Sequence, residues 1–298
     1  VRLIGALFVL IFCTCAACST EEPRSASRPA PKGPPPAQEK PQGHTIQKVE
    51  GYKTPAETLI LKSSKFPDNV VTVMLPQDYY EKPNKKYPLV IAFGGAGECA
   101  RAPRQGSLAW MHYYKADEAA KALGQGRLEA ADFRNFVTDA QLKSFNQRLH
   151  KQPYRGVILA CPYSPSLSPS VRMEFPEYEA YIMEELIPAL TERYRVKPGH
   201  IGVDGVSMGG ARAMYYGFKY PEVFASIGSV QGAFGPFLSI YEDLIKAKGK
   251  ALKTRAIQLV TSDHDPMAPS VERMHNMLAA NKIPHRFSRL TGPHDYIF

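Results

Sequence analysis

A serine hydroxyl becomes a useful nucleophile only in company. It needs a base to take its proton, an acid to orient that base, and fixed N–H donors for the oxyanion that forms. Residues 205–209 read Gly-Val-Ser-Met-Gly and cage Ser207 between glycines. HIGVDGV (200–206) before it reads as a strand, and the run from Met208 to Lys219 after it reads as a helix. A strand turning that sharply into a helix would drive flanking side chains together. Gly205 and Gly209 remove them and leave Ser207 strained and presented at the tip. The helix starting near Met208 brings its N-terminal N–H groups and dipole to the same place.

The partners follow in sequence. LVTSDHDP sets Asp263 and Asp265 just after a strand, and LTGPHDYIF sets His294 in a loop after the last one. Serine, then acid, then histidine is the chain order of α/β-hydrolases. In that arrangement His294 Nε2 takes the serine's proton, and an aspartate holds the other ring nitrogen and stabilises the imidazolium. His264 follows its strand too early in this order. His275 lies within a helical run, and Asp295, adjacent to His294, is a poor orienter because neighbouring side chains along a chain point apart.

These residues must be brought together by a sheet. PLVIAFGG (88–95), GVILACP (156–162), HIGVDGV (200–206), SIGSVQG (226–232) and AIQLVTS (256–262) are apolar runs ending at small or turn residues. Such runs predict strands buried on both faces, hence a mostly parallel sheet. VVTVML (70–75) and HRFSRL (285–290) add two more strands. Helical spacing recurs between them, over 174–194, 208–219 and 270–282. The alternation predicts an α/β fold with helices on both faces. The stretch from Gly97 to Val157 exceeds what a βαβ crossover requires. Residues 98–155 therefore read as a helical insert, expected to act as a cap. Within it, Trp110, Tyr113 and Tyr114 suit either of two roles: lining a pocket for an acyl or aryl group, or packing the insert onto the body.

The chain has 298 residues, 44% hydrophobic, with a formal net charge of +9. That is enough for one large domain, assigned to residues 46–298. A basic surface favours anionic envelope polymers or headgroups, or is simply solvated. No Lys/Arg block with interleaved aromatics points to nucleic acid. At the N-terminus, Arg2 precedes an apolar run suited to a signal core and too short for a stable membrane span. The run ends Cys-Ala-Ala-Cys, which resembles a bacterial lipoprotein signal at residues 1–18 with Cys18 as the lipidated residue. The usual Leu three places earlier is here Cys15. Residues 19–45 hold seven prolines and almost no large apolar residue, the composition of an extended tether. The expected location is the bacterial envelope outside the cytoplasm, with simple secretion as the alternative. In the exported domain Cys99 and Cys161 lie after or within strands expected to be neighbours. A disulfide and two separate thiols both remain open.

The domain resembles the esterase D-like branch of the α/β-hydrolases, which includes feruloyl and acetylxylan esterases. The resemblance runs over about residues 55–298. It is carried by VMLPQDYYEKPNKKYPLVIAFGGAG, by GVSMGGARAMYYGFKYPEVFAS and by IPHRFSRLTGPHDYIF. It implies Ser207 as nucleophile, His294 as base, Asp265 as acid with Asp263 in reserve, and the backbone N–H groups of Met208 and Gly95 as oxyanion donors. The chain departs from the family in having Phe93-Gly94 where His-Gly is usual, and in the length of 98–155. The family also often continues with a short helix beyond the histidine loop. The resemblance implies a serine carboxylic-ester hydrolase working through an acyl-enzyme on acyl or feruloyl- and acetyl-type esters, free or polysaccharide-linked, with no metal or organic cofactor. An acyltransferase or peptidase on the same fold, and a non-catalytic carbohydrate- or envelope-binding lipoprotein, are the alternatives.

Overall fold

The computed structural model describes residues 45–62, 65–166, 173 and 175–294. The signal sequence read at 1–18, Cys18, and all of the tether but Thr45 lie outside the described residues. The strands are β1 (Thr45–Val49), β2 (Ala56–Ile60), β3 (Val70–Met74), β4 (Tyr87–Phe93), β5 (Ile158–Pro162), β6 (Val196–Gly205), β7 (Ser226–Val230), β8 (Ala256–His264) and β9 (Arg286–Pro293). They form a sheet in the order β1-β2-β3-β5-β4-β6-β7-β8-β9. β1, β2 and β3 pair antiparallel, as do β3 and β5, whereas every pairing from β5 through β4 and β6 to β9 is parallel. The parallel part carries the long apolar runs, because it is covered on both faces. β1 and β2, with mixed sequences TIQKV and AETLI, extend the sheet beyond the strands expected from hydrophobic pattern.

The two faces have separate coats. Val73, Leu89, Ile91, Val203, Ile227 and Leu259 face one apolar cluster. Its helices are α5 (Pro176–Ala180), α6 (Ile187–Arg193), α7 (Met208–Lys219), α8 (Leu238–Leu252) and α9 (Ala268–Ala280). A π-helical segment, Tyr181–Leu186, joins α5 to α6, and Pro188, which brings no N–H to the ladder, stands just beyond it. Met74, Val90, Ala92, Leu159, Val206 and Val260 face the other cluster. Its helical cover comes from the segment between β4 and β5, which runs through α1 (Ala96–Cys99), α2 (Pro103–Gly106), a π turn (Ala109–Tyr113), α3 (Ala116–Gly124) and α4 (Asp139–Lys151); the π turn, α3 and α4 supply the buried apolar residues, and Val49 and Tyr52 pack against them. The insert at 98–155 is thus a structural layer on this face. A sheet that is apolar on both sides must be covered on both, and no other described helix serves this face. Among the described residues no helix is long and apolar enough to cross a membrane.

The turn leading into β4 is fastened by one carboxylate. Asp78 accepts from Lys85 Nζ at 2.8 Å and Tyr87 Oη at 2.9 Å, and pairs with Lys82 at 3.0 Å. Burial opposes its ionisation, but these donors prevail and bring its pKa down to about 2. A group lowered on folding stabilises above its unfolded pKa and loses that effect as pH falls through the folded value. Asp78→Asn is expected to lower stability by about 1 kcal/mol at pH 7, since water screens part of the pairing. The difference from wild type should shrink below pH 4 and vanish near pH 2, as read by urea melts across that range.

Candidate functional site

At the C-terminal edge of the sheet β6 passes through Val206 into α7, and Ser207 takes φ 55° and ψ −115°. A non-glycine residue holds such a conformation only when its surroundings enforce it. Ser207 N–H donates to Val230 O at 2.8 Å, Ala233 N–H donates to Ser207 O at 3.0 Å, and Gly209 N–H donates to Val206 O at 2.8 Å. The glycines permit the crowding. A Cβ on Gly205 would lie 2.1 Å from Gly209 O, and one on Gly209 would lie 2.4 Å from Gly94 O and 2.5 Å from Phe93 O. All these obstacles are backbone.

β8 and β9 bring the partners. His294 Nε2 lies 3.1 Å from Ser207 Oγ, and His294 Nδ1 lies 2.6 Å from Asp265 Oδ1. The Asp265 side chain is fully buried, while that of His294 is 21% exposed. Burial works against the Asp265 carboxylate. Hydrogen bonds from His294, from Thr261 Oγ1 at 2.7 Å and from Met267 N–H at 2.8 Å outweigh it and hold the group below the usual carboxylate range. The structure therefore brings together Ser207, His294 and Asp265 and leaves Asp263 apart. Asp263 Oδ1 accepts from Gly292 N–H at 2.8 Å, so it ties down the strand that carries His294 without touching the ring. Thr261, which reaches Asp265, escaped the sequence reading. Its signal is a polar residue at the buried end of an apolar strand.

The loop after β4 is held by the insert. Trp110 Nε1 donates to Phe93 O at 3.1 Å, Gly95 N–H donates to Tyr114 Oη at 3.0 Å, and Tyr114 Oη donates to Glu98 Oε2 at 2.5 Å. The Gly95 N–H, expected to receive an oxyanion, is thus engaged by the chain's own phenol. Met208 opens α7 beside Ser207, as expected of the other donor. Trp110 and Tyr114 are buried, with ring centroids 5.6 Å apart in an edge contact, so of the two roles open to them packing is the one observed. Tyr113 is partly exposed and lies under the Arg101 guanidinium, 4.6 Å from ring centroid to Cζ.

The bridge left open between Cys99 and Cys161 is not formed: both thiols are free and buried. Cys161 belongs to the apolar layer beneath the insert, whereas Cys99 Sγ lies 3.3 Å from Ser164 Oγ and 3.8 Å from Gly94 O. Burial pushes both thiols up. One further buried acid was not anticipated. Asp204, three residues before Ser207, accepts from Gly205 N–H at 2.6 Å, and burial raises its pKa well above the usual value. Gly228 makes room for it, since a Cβ there would lie 1.7 Å from Asp204 Oδ2.

Residues 164–285 match a family model described as "Esterase: Putative esterase". No curated protein matches the sequence. Among solved structures, a ferulic acid esterase aligns with a TM-score of 0.59 at 16% identity, over 85% of this chain and 93% of that one. A ferulic acid esterase from the anaerobic fungus Anaeromyces mucronatus aligns with a TM-score of 0.55 at 17% identity, over 90% and 91%. The enterobactin esterase of Shigella flexneri aligns with a TM-score of 0.56 at 17% identity, over 83% of this chain and 56% of that one. At such identities the likeness is one of fold.

The crowding at the turn has a direct test. Gly209→Ala is expected to destabilise the domain by about 3 kcal/mol or more, because backbone must shift to admit the methyl group. Gly97→Ala, where a Cβ meets nothing within 4 Å, is expected to melt like wild type. Thermal melts of the two variants side by side provide the measurement.

Proposed function

We propose, for a chain with an α/β-hydrolase fold whose residues 164–285 match an esterase family model, that it hydrolyses carboxylic esters through Ser207, His294 and Asp265. The observation that supports this most is the unbroken run of hydrogen bonds from Asp265 through His294 to Ser207 on a strained turn. Ser207 Oγ attacks the ester carbonyl carbon while its proton passes to His294 Nε2. Asp265, kept ionised by its three donors, stabilises the imidazolium. The tetrahedral oxyanion is received by Met208 N–H and by Gly95 N–H, the latter exchanging its bond to Tyr114 Oη. Collapse expels the alcohol, which takes the proton from His294, and leaves the acyl group on Ser207. Water then gives a proton to His294, attacks the acyl carbon, and the carboxylic acid departs with Ser207 restored.

The acyl groups proposed are acetyl and hydroxycinnamoyl types, in keeping with the ferulic acid esterases among the structural neighbours. The domain is proposed to work outside the cytoplasm, held to the bacterial envelope by lipid on Cys18 and spaced from it by residues 19–45.

Purified protein should hydrolyse p-nitrophenyl acetate and methyl ferulate. Ser207→Ala and His294→Ala should each lower kcat by at least ~10³-fold, and Asp265→Asn by about 10⁴-fold. Asp263→Asn, whose amide oxygen still accepts from Gly292, should stay within about threefold of wild type. Undiminished turnover by Ser207→Ala would remove the assigned nucleophile. For the anchor, Cys18→Ala is expected to shift the protein from the membrane to the soluble fraction of expressing cells.

A further inference from the structure

We infer that Gln231, acting with Ser262, is a positioning residue that sets His294 at its working distance from Ser207. The inference rests on the reading of His294 as the base. Gln231 immediately follows β7, is fully buried, and holds φ +51°. A long amide in a left-handed backbone conformation inside the protein is a strained choice. Its bonds account for it. Gln231 Nε2 donates to Ser262 Oγ at 2.9 Å and to Pro293 O at 2.9 Å, and Ser262 Oγ donates to the same Pro293 O at 3.1 Å. The carbonyl at Pro293 can only accept, which settles which end of the amide faces it. Gln231 Oε1 is left buried without a hydrogen-bond partner, so the side chain is oriented by its donors alone.

The surroundings show what this clamp joins. Gln231 N–H donates to Val260 O at 2.7 Å, fastening it to β8. Its neighbours grip the nucleophile through the main chain: Val230 O receives Ser207 N–H, and Ala233 N–H donates to Ser207 O. Segment 230–233 therefore holds Ser207 with its backbone and the histidine loop with one side chain. On the other side, three consecutive residues are each fixed by the stretch 262–265. Asp263 takes Gly292 N–H, Ser262 with Gln231 takes Pro293 O, and Asp265 takes the His294 ring. Gly292, at φ +139°, is the natural pivot of this loop. Without the hold on Pro293 O, the backbone next to His294 is less restrained about that pivot, and the ring, still bonded to Asp265, can shift away from Ser207 Oγ. A misplacement of about 1 Å at such a distance is enough to lower a rate by ~10²-fold.

The test compares Gln231→Leu and Ser262→Ala with wild type, with Ser207→Ala as control. Turnover of p-nitrophenyl acetate is normalised to folded protein, and the rate of covalent labelling by a fluorophosphonate is measured alongside. Gln231→Leu is expected to lower kcat by about 10- to 100-fold with KM within about threefold, and to slow labelling by a similar factor. Ser262→Ala, which removes one of the two donors to Pro293 O, should show a smaller loss of the same kind. The double variant, which leaves Pro293 O with neither donor, should lose at least as much as Gln231→Leu. Wild-type kcat and labelling in folded Gln231→Leu would overturn the inference, as would a loss confined to thermal stability. Should Gln231→Leu fail to fold, Ser262→Ala decides by the same criterion. Retained activity in Ser207→Ala would instead strike the proposed function, so the two failures are distinguishable.

Discussion

The N-terminus of α7 touches the end of β4 at Gly209, backbone against backbone, with no space for a single methyl group. The rest of the site depends on that contact. It forces Ser207 into its left-handed conformation, closes the turn from β6, and sets the loop at Gly94 and Gly95 beside it. Strain of this kind is kept only when surrounding bonds over-determine it. Here the bonds come from Phe93 and Val230 on the flanking strands and from Ala233 beyond β7. The sheet is therefore more than a platform, since its neighbouring strands supply the acceptors and donors that hold the serine in place.

The insert between β4 and β5 has a double role for a simple reason. It must cover the face that no other described helix covers, and to do so it passes directly beneath the loop after β4. Its indole at Trp110 and phenol at Tyr114 are buried there, where a polar tip requires a partner. The partners available are Phe93 O, Gly95 N–H and Glu98. Packing thus also supplies the hydrogen bonding around the loop.

Much of this was legible in the residues. The glycine-caged serine between a strand run and a helix run, and the later aspartates and histidine, specified the turn and the order of partners. Buried apolar runs specified the parallel sheet. The choice between Asp263 and Asp265 was harder to read, because both stand at the end of β8. It is resolved by a register shift between Ser262 and His264 in the pairing with β9, a detail of backbone geometry without a compositional mark. β1 and β2 escaped notice because their sequences, TIQKV and AETLI, mix polar with apolar residues and carry little apolar signal. Gln231 is one polar residue after an ordinary strand, and nothing in its spacing announces a bond to a residue 62 positions away. The insert was recognised as helical, but its place on the sheet was not, since helical periodicity reports an apolar face without naming what that face will meet.

The strand order carries a last consequence. From β4 the chain crosses to one side to reach β5, while β6 lies on β4's other side and leads away toward β9. Such a reversal opens a crevice at the carboxyl ends of the two central strands, the topological switch point where α/β proteins receive their ligands. Ser207 stands at that crevice. Its two banks are of different origin, one built by the insert and the other by the helices that follow β5. A molecule bridging them would meet both, and the insert's bank can change shape in descendants of this sequence while the hydrogen bonds from Asp265 through His294 to Ser207 stay as they are.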